Sequence, residues 1–279
     1  MLKSVAVVLL EDVALFEFGV LAEVFGVDRS DDGVPKFDFR VCALEPGEPM
    51  SSLNGTKVIA PYGLEELVGA DLVAIPAIRI WKDYPPQVLD ALRQAAARGA
   101  TMLSVCSGAF VLGAAGLLDG RRCTTHWLYV KELAQLYPDA KIDPDVLFVD
   151  DGDLITSAGT AAGINACLHL VRRELGSAVA TRIARRMVVP PQRDGGQRQY
   201  VELPVPGCSA ESLTPVLTWM PGEHHDRPPG LVVGPASCHV GAHLRSQVRG
   251  RDGDDPAQVA VDAKGAACPK SVGGDRPGR

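Results

Sequence analysis

The sequence predicts an α/β protein built on a doubly wound parallel sheet, followed by a largely disordered tail. Across residues 1–190, apolar β-branched runs alternate with segments of helical spacing, which is the pattern of strands and crossover helices. Several runs are apolar at nearly every position, as strands buried on both faces are. Residues 228–279 contain no Phe, Tyr, Trp, Ile or Met, so they lack the large apolar side chains that a core needs.

The individual elements can be placed in chain order. The predicted strands are residues 4–10, 37–44, 57–60, 71–76, 101–105, 122–127, 146–149 and 154–157, and the predicted helices are residues 16–27, 85–98, 107–118, 128–136, 159–173 and 178–188. The helix at 85–98 begins with a proline and stops at Gly99, as helices commonly do. A tight turn at Asp151 and Gly152 joins the last two strands. Doubly wound proteins bind ligands at the carboxyl ends of their strands, so we expect a site there.

Composition and charge limit the class of protein. The chain has 279 residues, 46% of them hydrophobic, and a net charge of −6, which suits a globular protein and gives no support to a nucleic-acid-binding surface. Seven scattered cysteines form no Cys-x-x-Cys pair, which favours a reducing cytoplasm over disulfides or zinc. No apolar run is long enough to span a bilayer. Because Glu11 and Asp12 follow it at once, the apolar N-terminus predicts a strand rather than a signal peptide. We expect no cofactor, no metal and no membrane association.

Cys106 lies where an apolar strand ends and a helix begins. Strand, Cys106, Ser107, Gly108 and helix together make the pattern of a nucleophile elbow, in which a sharp turn exposes the side chain. A helix N-terminus favours an anion and lowers a thiol pKa, so Cys106 is a candidate thiolate and catalytic residue. The alternative is a small buried cysteine at a strand end. The same packing interpretation is the default for the cysteines in apolar strand or helix contexts, namely Cys42, Cys123 and Cys167.

Four segments of the chain together resemble the DJ-1/PfpI superfamily over about residues 5–205. They are residues 16–25 (FEFGVLAEVF), 104–109 (SVCSGA), 121–127 (RRCTTHW) and 156–163 (TSAGTAAG). They resemble most the GlxA-type transcription regulators, which carry this domain ahead of an AraC-type helix-turn-helix, and the isonitrile hydratases share much of the pattern. The resemblance implies a flavodoxin-like sheet related to class I glutamine amidotransferases, a homodimer and a small-molecule ligand. DNA is an implied partner only if an intact helix-turn-helix is present.

The resemblance also implies site residues. Glu17 matches the carboxylate that hydrogen-bonds the elbow cysteine, and a protonated Glu17 would satisfy a thiolate, whereas two anions would raise each other's pKa. The alternative for Glu17 is a carboxylate at a helix N-terminus that interacts only with the helix dipole. His126 can reach the crevice from the strand after the elbow helix, or it can be a structural residue. The implied ligand-binding residues are Ser107, Gly108, Ala77, Gly159 and Thr160, with the backbone N–H groups of Ser107 and Ala77 offered to an oxyanion.

Ser107 narrows the function. Protease-like members of the superfamily place a histidine directly after the cysteine, so the serine removes a simple Cys-His dyad. Three functions remain: a ligand-sensing domain with Cys106 at the floor of its pocket, a hydratase or lyase in which Cys106 attacks and Glu17 moves a proton, and a redox-sensing thiol. We favour the sensing domain of a regulator over an isonitrile hydratase-like enzyme.

The chain divides into a DJ-1/PfpI-like domain at residues 1–190, a linker at 191–209, the start of an AraC-type DNA-binding region at 210–220 and a low-complexity tail at 221–279. In the AraC-type region at 210–220, one helical face carries Leu213, Val216, Leu217 and Met220. The pattern then stops, and the composition of the tail is that of a disordered segment.

A change of reading frame accounts for the tail. Back-translation of residues 251–256 with degenerate codons, with the first base dropped, permits Glu-Thr-Gly-Thr-Thr-Pro. The same shift permits Lys-Trp-Leu-Leu-Thr-Gln-Arg-Val onward through residue 265 and Ala-Met-Ser-x-Arg-Thr-Phe upstream from Cys238. These strings resemble the second half of an AraC-type DNA-binding domain. We hypothesise a frameshift between about Pro221 and Gly230, with DNA binding lost in this chain; a natural disordered tail is the alternative.

Overall fold

The computed structural model describes residues 2–197 and residue 199. Its strands are β1 (Ser4–Val8), β2 (Asp38–Cys42), β3 (Pro49–Ser51), β4 (Lys57–Ile59), β5 (Leu72–Ile75), β6 (Thr101–Val105), β7 (Arg122–Cys123), β8 (Lys141–Ile142), β9 (Phe148–Asp150) and β10 (Leu154–Ser157). Its α-helices are α1 (Leu15–Leu21), α2 (Pro86–Ala97), α3 (Gly108–Ala114), α4 (Val130–Leu136), α5 (Ala161–Leu175) and α6 (Ser177–Arg186).

Six of these strands form the central sheet. Their order is β2-β1-β5-β6-β10-β9, with β9 antiparallel to its neighbour and every other pair parallel. Val5 of β1 pairs with Phe39 on one side and Leu72 on the other, which fixes the register of that part of the sheet. The remaining strands form two small sheets, β3 with β4 and β7 with β8. The predicted parallel α/β sheet is confirmed, with one antiparallel strand at its edge.

The middle of the sheet is buried along its whole length. Every residue of β5 and β10 is buried, as are four of the five residues of β1 and of β6. The helices form two groups, since α5 packs against α1 and α6, and α3 packs against α2 and α4. Helices on both faces explain why these strands are apolar at successive positions instead of alternating.

Most predicted elements are present, but one strand and one helix near the candidate site differ from the prediction. The strand predicted at residues 122–127 is too long, because β7 ends at Cys123. The backbone N–H of Thr124 donates to the Thr156 hydroxyl at 2.7 Å, so the chain leaves the strand there. It then enters a 3-10 turn at Trp127–Tyr129 that leads into α4. Strands β3 and β8 are additions that the sequence pattern did not predict.

The helix predicted at residues 16–27 changes type halfway. It is α-helical through α1 and continues as a wider π-helical turn at Ala22–Gly26. The guanidinium of Arg29, which is 1% exposed, donates to the carbonyl of Glu23 at 2.7 Å. An arginine that bonds a carbonyl inside this turn accounts for its altered hydrogen-bond pattern.

The predictions for the C-terminal region, including the helical start at residues 210–220, the disordered tail and the frameshift, lie outside the described residues. Within the described part of the chain, no helix is both long and apolar enough to cross a membrane.

Candidate functional site

Cys106 occupies a strained turn at the carboxyl end of β6. Its φ is +57°, in the left-handed region that L-residues other than glycine, Asn and Asp seldom adopt. Helix α3 begins two residues later at Gly108, where an added Cβ would lie 2.5 Å from the Ile75 carbonyl oxygen and 2.9 Å from that of Pro76. The helix therefore starts in direct contact with the chain that leaves β5. This geometry supports the predicted elbow.

Ser107 locks the turn to the neighbouring loop. Its hydroxyl donates to the carbonyl of Ile78 at 2.6 Å and accepts the backbone N–H of the same residue at 3.0 Å. Both bonds are buried. The carbonyl of Ala77 accepts the backbone N–H of Ala14 at 2.8 Å, which ties this loop to the chain just before α1. The structure therefore brings Ser107 and Gly108, which follow Cys106, against the loop after β5 that contains Ala77.

Gly159 lies directly against the thiol. Its φ is +92°, and a Cβ placed on it would overlap the Cβ of Cys106 and lie 2.8 Å from Sγ. Both features require glycine at this position. The next residue, Thr160, has a φ of +46° and is a second strained non-glycine residue. It precedes α5, so the turns after β6 and β10 meet at Cys106.

Glu17 is the buried acid of the site. It lies in the first turn of α1 and is 7% exposed. Burial raises the pKa of Glu17 above its ordinary value of 4.5, while the backbone N–H groups of Glu17 and Thr160 bond the carboxylate and oppose the rise. A raised pKa favours the protonated acid at a higher pH than for an exposed glutamate.

The Cys106 thiol is held neutral. Its pKa is raised to about 12, first by burial and then by the charge of Glu17, while hydrogen bonding to Ser107 acts in the other direction. Burial therefore opposes the thiolate that the helix N-terminus predicts. A seven-residue helix supplies a small dipole effect, and the loss of solvent around a 7% exposed thiol outweighs it. A proton on Glu17 would remove the repulsive contribution of that residue.

His126 caps the turn that follows the short strand. Its Nδ1 accepts the backbone N–H of Leu128 at 3.3 Å, and partial burial lowers its pKa, which favours the neutral ring. Its ring centroid lies 5.8 Å from that of Tyr129. The contacts recorded for His126 are therefore those of a structural cap, which is one of the two interpretations that the sequence left open.

Two residues near Cys106 were missed by sequence reasoning. The hydroxyl of Thr125 donates to the carbonyl of Cys106 at 2.9 Å, and Thr125 is completely buried. The pKa of Tyr129 is raised by burial and then by the charges of Cys106, Glu132 and Glu17. The sequence offered one signal for both residues, namely their positions one residue before and three residues after His126. A segment that carries a candidate site histidine also carries its neighbours toward the site.

The site's donors do not form a metal centre. Among residues 2–197 and 199, no three His, Cys, Asp or Glu side chains are grouped so that they could hold a metal ion. The arrangement instead offers a neutral thiol, a buried acid and backbone groups at two strained turns. Such a site can receive a small polar molecule and exchange a proton with it.

Comparison with known proteins identifies relatives of the chain. The sequence pattern of the DJ-1/PfpI family matches residues 3–173. An HTH-type transcriptional regulator, CdhR of Pseudomonas aeruginosa, is 32% identical over 66% of this chain and 54% of its own length. An isonitrile hydratase of Pseudomonas putida is 36% identical over 46% of this chain and 56% of its own length. The chain thus spans about half the length of these curated relatives.

A solved structure shares the fold. The crystal structure of an AraC family transcriptional regulator from Pseudomonas putida superposes with a TM-score of 0.58 at 26% identity. The match covers 66% of this chain and 99% of that chain.

Proposed function

The chain belongs to the DJ-1/PfpI family, and from that premise we propose that its described domain senses a small molecule for a transcription regulator of the GlxA/AraC type. The observation that carries the proposal is geometric: Cys106 is a buried thiol enclosed by Gly159, and Glu17 is a buried acid beside it, with burial raising the pKa of both groups. The Ser107 hydroxyl that follows it is bound in both directions to Ile78, so it does not serve as a base. A neutral thiol beside a buried acid suits binding better than nucleophilic attack.

The ligand we propose is a small nitrogenous or carbonyl metabolite. Glu17 in its protonated form donates a hydrogen bond, and in its ionised form accepts one, so it fits an amine or a carbonyl oxygen. The backbone N–H groups of Ser107 and Ala77 are the proposed donors to an oxygen atom of the ligand. Gly108, Gly159 and Thr160 would shape the pocket wall, and His126 would border its entrance.

The assembly we propose is a cytoplasmic homodimer. Phe16, next to Glu17, is 56% exposed, and Leu128, next to Trp127, is 58% exposed. Large apolar side chains exposed beside a site support a protein interface there. Light scattering of the purified chain tests the dimer; a monomer at all concentrations would contradict it.

Ligand binding is tested with a thermal-shift panel. We expect at least one small amine, amide or carbonyl compound to raise the Tm of the full chain, without turnover, and to lose this effect in Glu17→Gln and Cys106→Ser. Glu132→Gln is the matched control, since this residue lies in α4 and outside the turns that meet at Cys106. A panel with no stabilising compound, or equal stabilisation of the Cys106→Ser variant, would contradict the sensing proposal.

Isonitrile hydration is the second candidate function. It is favoured by the Cys106–Glu17 pair together with the 36% identity to an isonitrile hydratase. The Cys106 sulfur would bond the isonitrile carbon while the thiol proton moves through Glu17 to the substrate, and water would then displace the sulfur and release a formamide. Formamide production from an isonitrile panel that disappears in Cys106→Ser would establish this function and overturn a purely sensing role.

DNA binding depends on the C-terminal region, and we propose that a frameshift between about Pro221 and Gly230 has removed this activity. In this proposal an unrelated tail follows three parts of the chain: the DJ-1/PfpI-like domain at 1–190, the linker at 191–209 and the helical start at 210–220. The coding DNA tests this. We expect a neighbouring frame to encode the helical string given above. If no frame does so, the natural disordered tail is the correct account.

A further inference from the structure

The segment that follows α6 returns to the candidate site. We call residues 191–197 together with residue 199 the linker segment. The backbone N–H of Leu147 donates to the carbonyl of Gly195 at 2.7 Å, and the backbone N–H of Gln199 donates to the carbonyl of Asp145 at 3.0 Å. These bonds hold the linker segment along the chain that enters β9. It is therefore docked on the domain rather than leaving it directly after α6.

The side-chain amide of Gln199 is fully used. Its Oε1 accepts the backbone N–H of Trp127 at 2.8 Å. Its Nε2 faces the carbonyls of Thr125 and Val146 at 3.0 Å each and that of Pro144 at 3.2 Å. Only this orientation of the amide gives the backbone N–H of Trp127 an acceptor and the three carbonyls a donor. Gln199 is 7% exposed, so these groups have little water to replace the bonds.

Thr125 connects Gln199 to the site. Its carbonyl accepts from the amide of Gln199, and its hydroxyl donates to the carbonyl of Cys106 at 2.9 Å. Thr125 is completely buried, and hydrogen bonds in such surroundings are costly to leave unmade. One residue therefore stands between the strained turn at Cys106 and the linker segment.

We propose that Gln199 is a latch that couples the Cys106 pocket to the linker segment. The inference rests on the sensing function proposed above and adds the means by which occupancy of the pocket reaches the rest of the chain. With the latch closed, Thr125 holds the Cys106 carbonyl, and a preorganised pocket binds its ligand more tightly. Because coupling between two sites is reciprocal, a bound ligand tightens the latch and keeps the linker segment docked.

The bonding pattern gives the latch two states, one with Gln199 bonded to residues 125–127 and one with it released. A shift of the segment from Thr125 to Trp127 would break bonds on both sides of one buried amide at once. A half-open latch leaves buried groups unpaired, which is unfavourable. The linker segment is therefore either docked or released, which is the property that an element linking two sites needs.

The first test measures how fast iodoacetamide labels Cys106 in the full chain. The thiolate sulfur bonds the acetamide carbon, iodide leaves, and the thiol proton passes to the buffer. We expect Gln199→Leu to accelerate this labelling by about tenfold, because loss of the buried amide leaves its hydrogen-bond partners unpaired. Gln197→Leu is the matched control, because this exposed side chain lies in the same segment and its Oε1 accepts a hydrogen bond from Arg193.

Cys167 separates a latch from a general loss of stability. It is fully buried in α5 and is labelled only when the domain opens. The latch requires faster labelling of Cys106 in Gln199→Leu with Cys167 unchanged. Parallel acceleration of the two cysteines, or no acceleration of either, would overturn the proposal.

The reverse direction is tested with Thr125→Val, which keeps the shape of the side chain and removes its bond to Cys106. We expect hydrogen exchange in a peptide containing Gln199 to rise several-fold, with exchange in α2 unchanged. The double variant Thr125→Val/Gln199→Leu should label at Cys106 no faster than the faster single variant. Multiplicative effects would show two independent sites and contradict the latch.

These measurements use no ligand. If the compound panel fails while labelling and exchange behave as described, the sensing function is wrong and the latch stands. If the panel succeeds while Gln199→Leu labels like the wild type, the latch is wrong and the sensing function stands.

Discussion

Cys106 and Cys167 are both buried cysteines with a raised pKa, yet their surroundings differ. Cys167 lies inside α5, and burial is the cause of its raised pKa. Cys106 sits at φ +57°, and the charge of Glu17 acts on it as well as burial. Burial and a shifted pKa alone therefore do not mark a functional cysteine. A strained backbone and a buried acid beside the thiol are what distinguish the site.

The largest expected effect is that of crowding the Cys106 turn. Gly159→Ala places a methyl group on the Cys106 Cβ at a φ of +92°. Left-handed strain of about 1–2 kcal/mol and overpacking of about 1–3 kcal/mol together predict a loss of about 2–5 kcal/mol in the free energy of unfolding. Urea denaturation of the full chain measures this loss in the free energy of unfolding.

Gly152→Ala is the control for this prediction. Its φ is +87°, and an added Cβ meets no atom within 4 Å, so it reports strain alone, about 1–2 kcal/mol. Equal losses for the two variants would mean that the contact between Gly159 and the thiol is absent in solution.

The same substitution at the two cysteines should have different effects. Cys167→Gly loses buried contacts and puts glycine inside a helix, which we expect to cost about 2–3 kcal/mol. Cys106→Gly relieves a positive φ that costs on the order of 1–3 kcal/mol, which offsets its lost contacts and leaves stability within about 1 kcal/mol of the wild type. Thermal unfolding compares them. Similar large losses at both positions would contradict the strain at Cys106.

A smaller effect concerns the pH dependence of stability. The pKa of Glu17 is raised by burial, so its folded pKa exceeds the unfolded one. Its stabilising contribution is complete below about pH 4.5 and declines as the pH rises through the folded pKa. We expect Glu17→Gln to remove this decline, so that the variant gains stability relative to the wild type between acidic and neutral pH. Unfolding curves across this range measure the difference.

Asp150 provides a comparison of opposite sign. Burial acts to raise the pKa of Asp150, but its bonds with His169 and Gly152 and the charge of Arg173 outweigh burial and lower it. Its contribution is present above the unfolded pKa and is lost as the pH falls through the folded one. Asp150→Asn should therefore lose stability relative to the wild type at neutral pH and converge with it in acid. The same slope in both variants would refute the assignment for Glu17.

The central strands and the tight turn after β6 could be predicted from the sequence because each leaves a local signal. Uninterrupted apolar runs indicate β1, β5 and β6, and the sharp change of pattern after Val105 indicates the turn. The thiol pKa could not be predicted in the same way. The helix dipole is visible locally, but Gly159, which packs against the thiol, and Glu17, whose charge acts on it, lie far away in sequence.

The contacts of Thr125 and Gln199 were beyond sequence reasoning for a related reason. Their bonds run to backbone carbonyls, and every residue carries a carbonyl, so no residue type marks the partner. The end of β7 at Cys123 was missed for the same reason, since a hydroxyl from β10 takes the next N–H. The C-terminal predictions stay predictions.

The most direct measurement of the central claim is protection of the two cysteines by a stabilising compound. Each compound that raises the Tm of the full chain is added before iodoacetamide, and the labelling of Cys106 and Cys167 is followed by peptide mass spectrometry. A ligand pocket at the strained turn predicts that labelling of Cys106 slows far more than labelling of Cys167. Equal slowing of both cysteines, which is what general stabilisation produces, would contradict it.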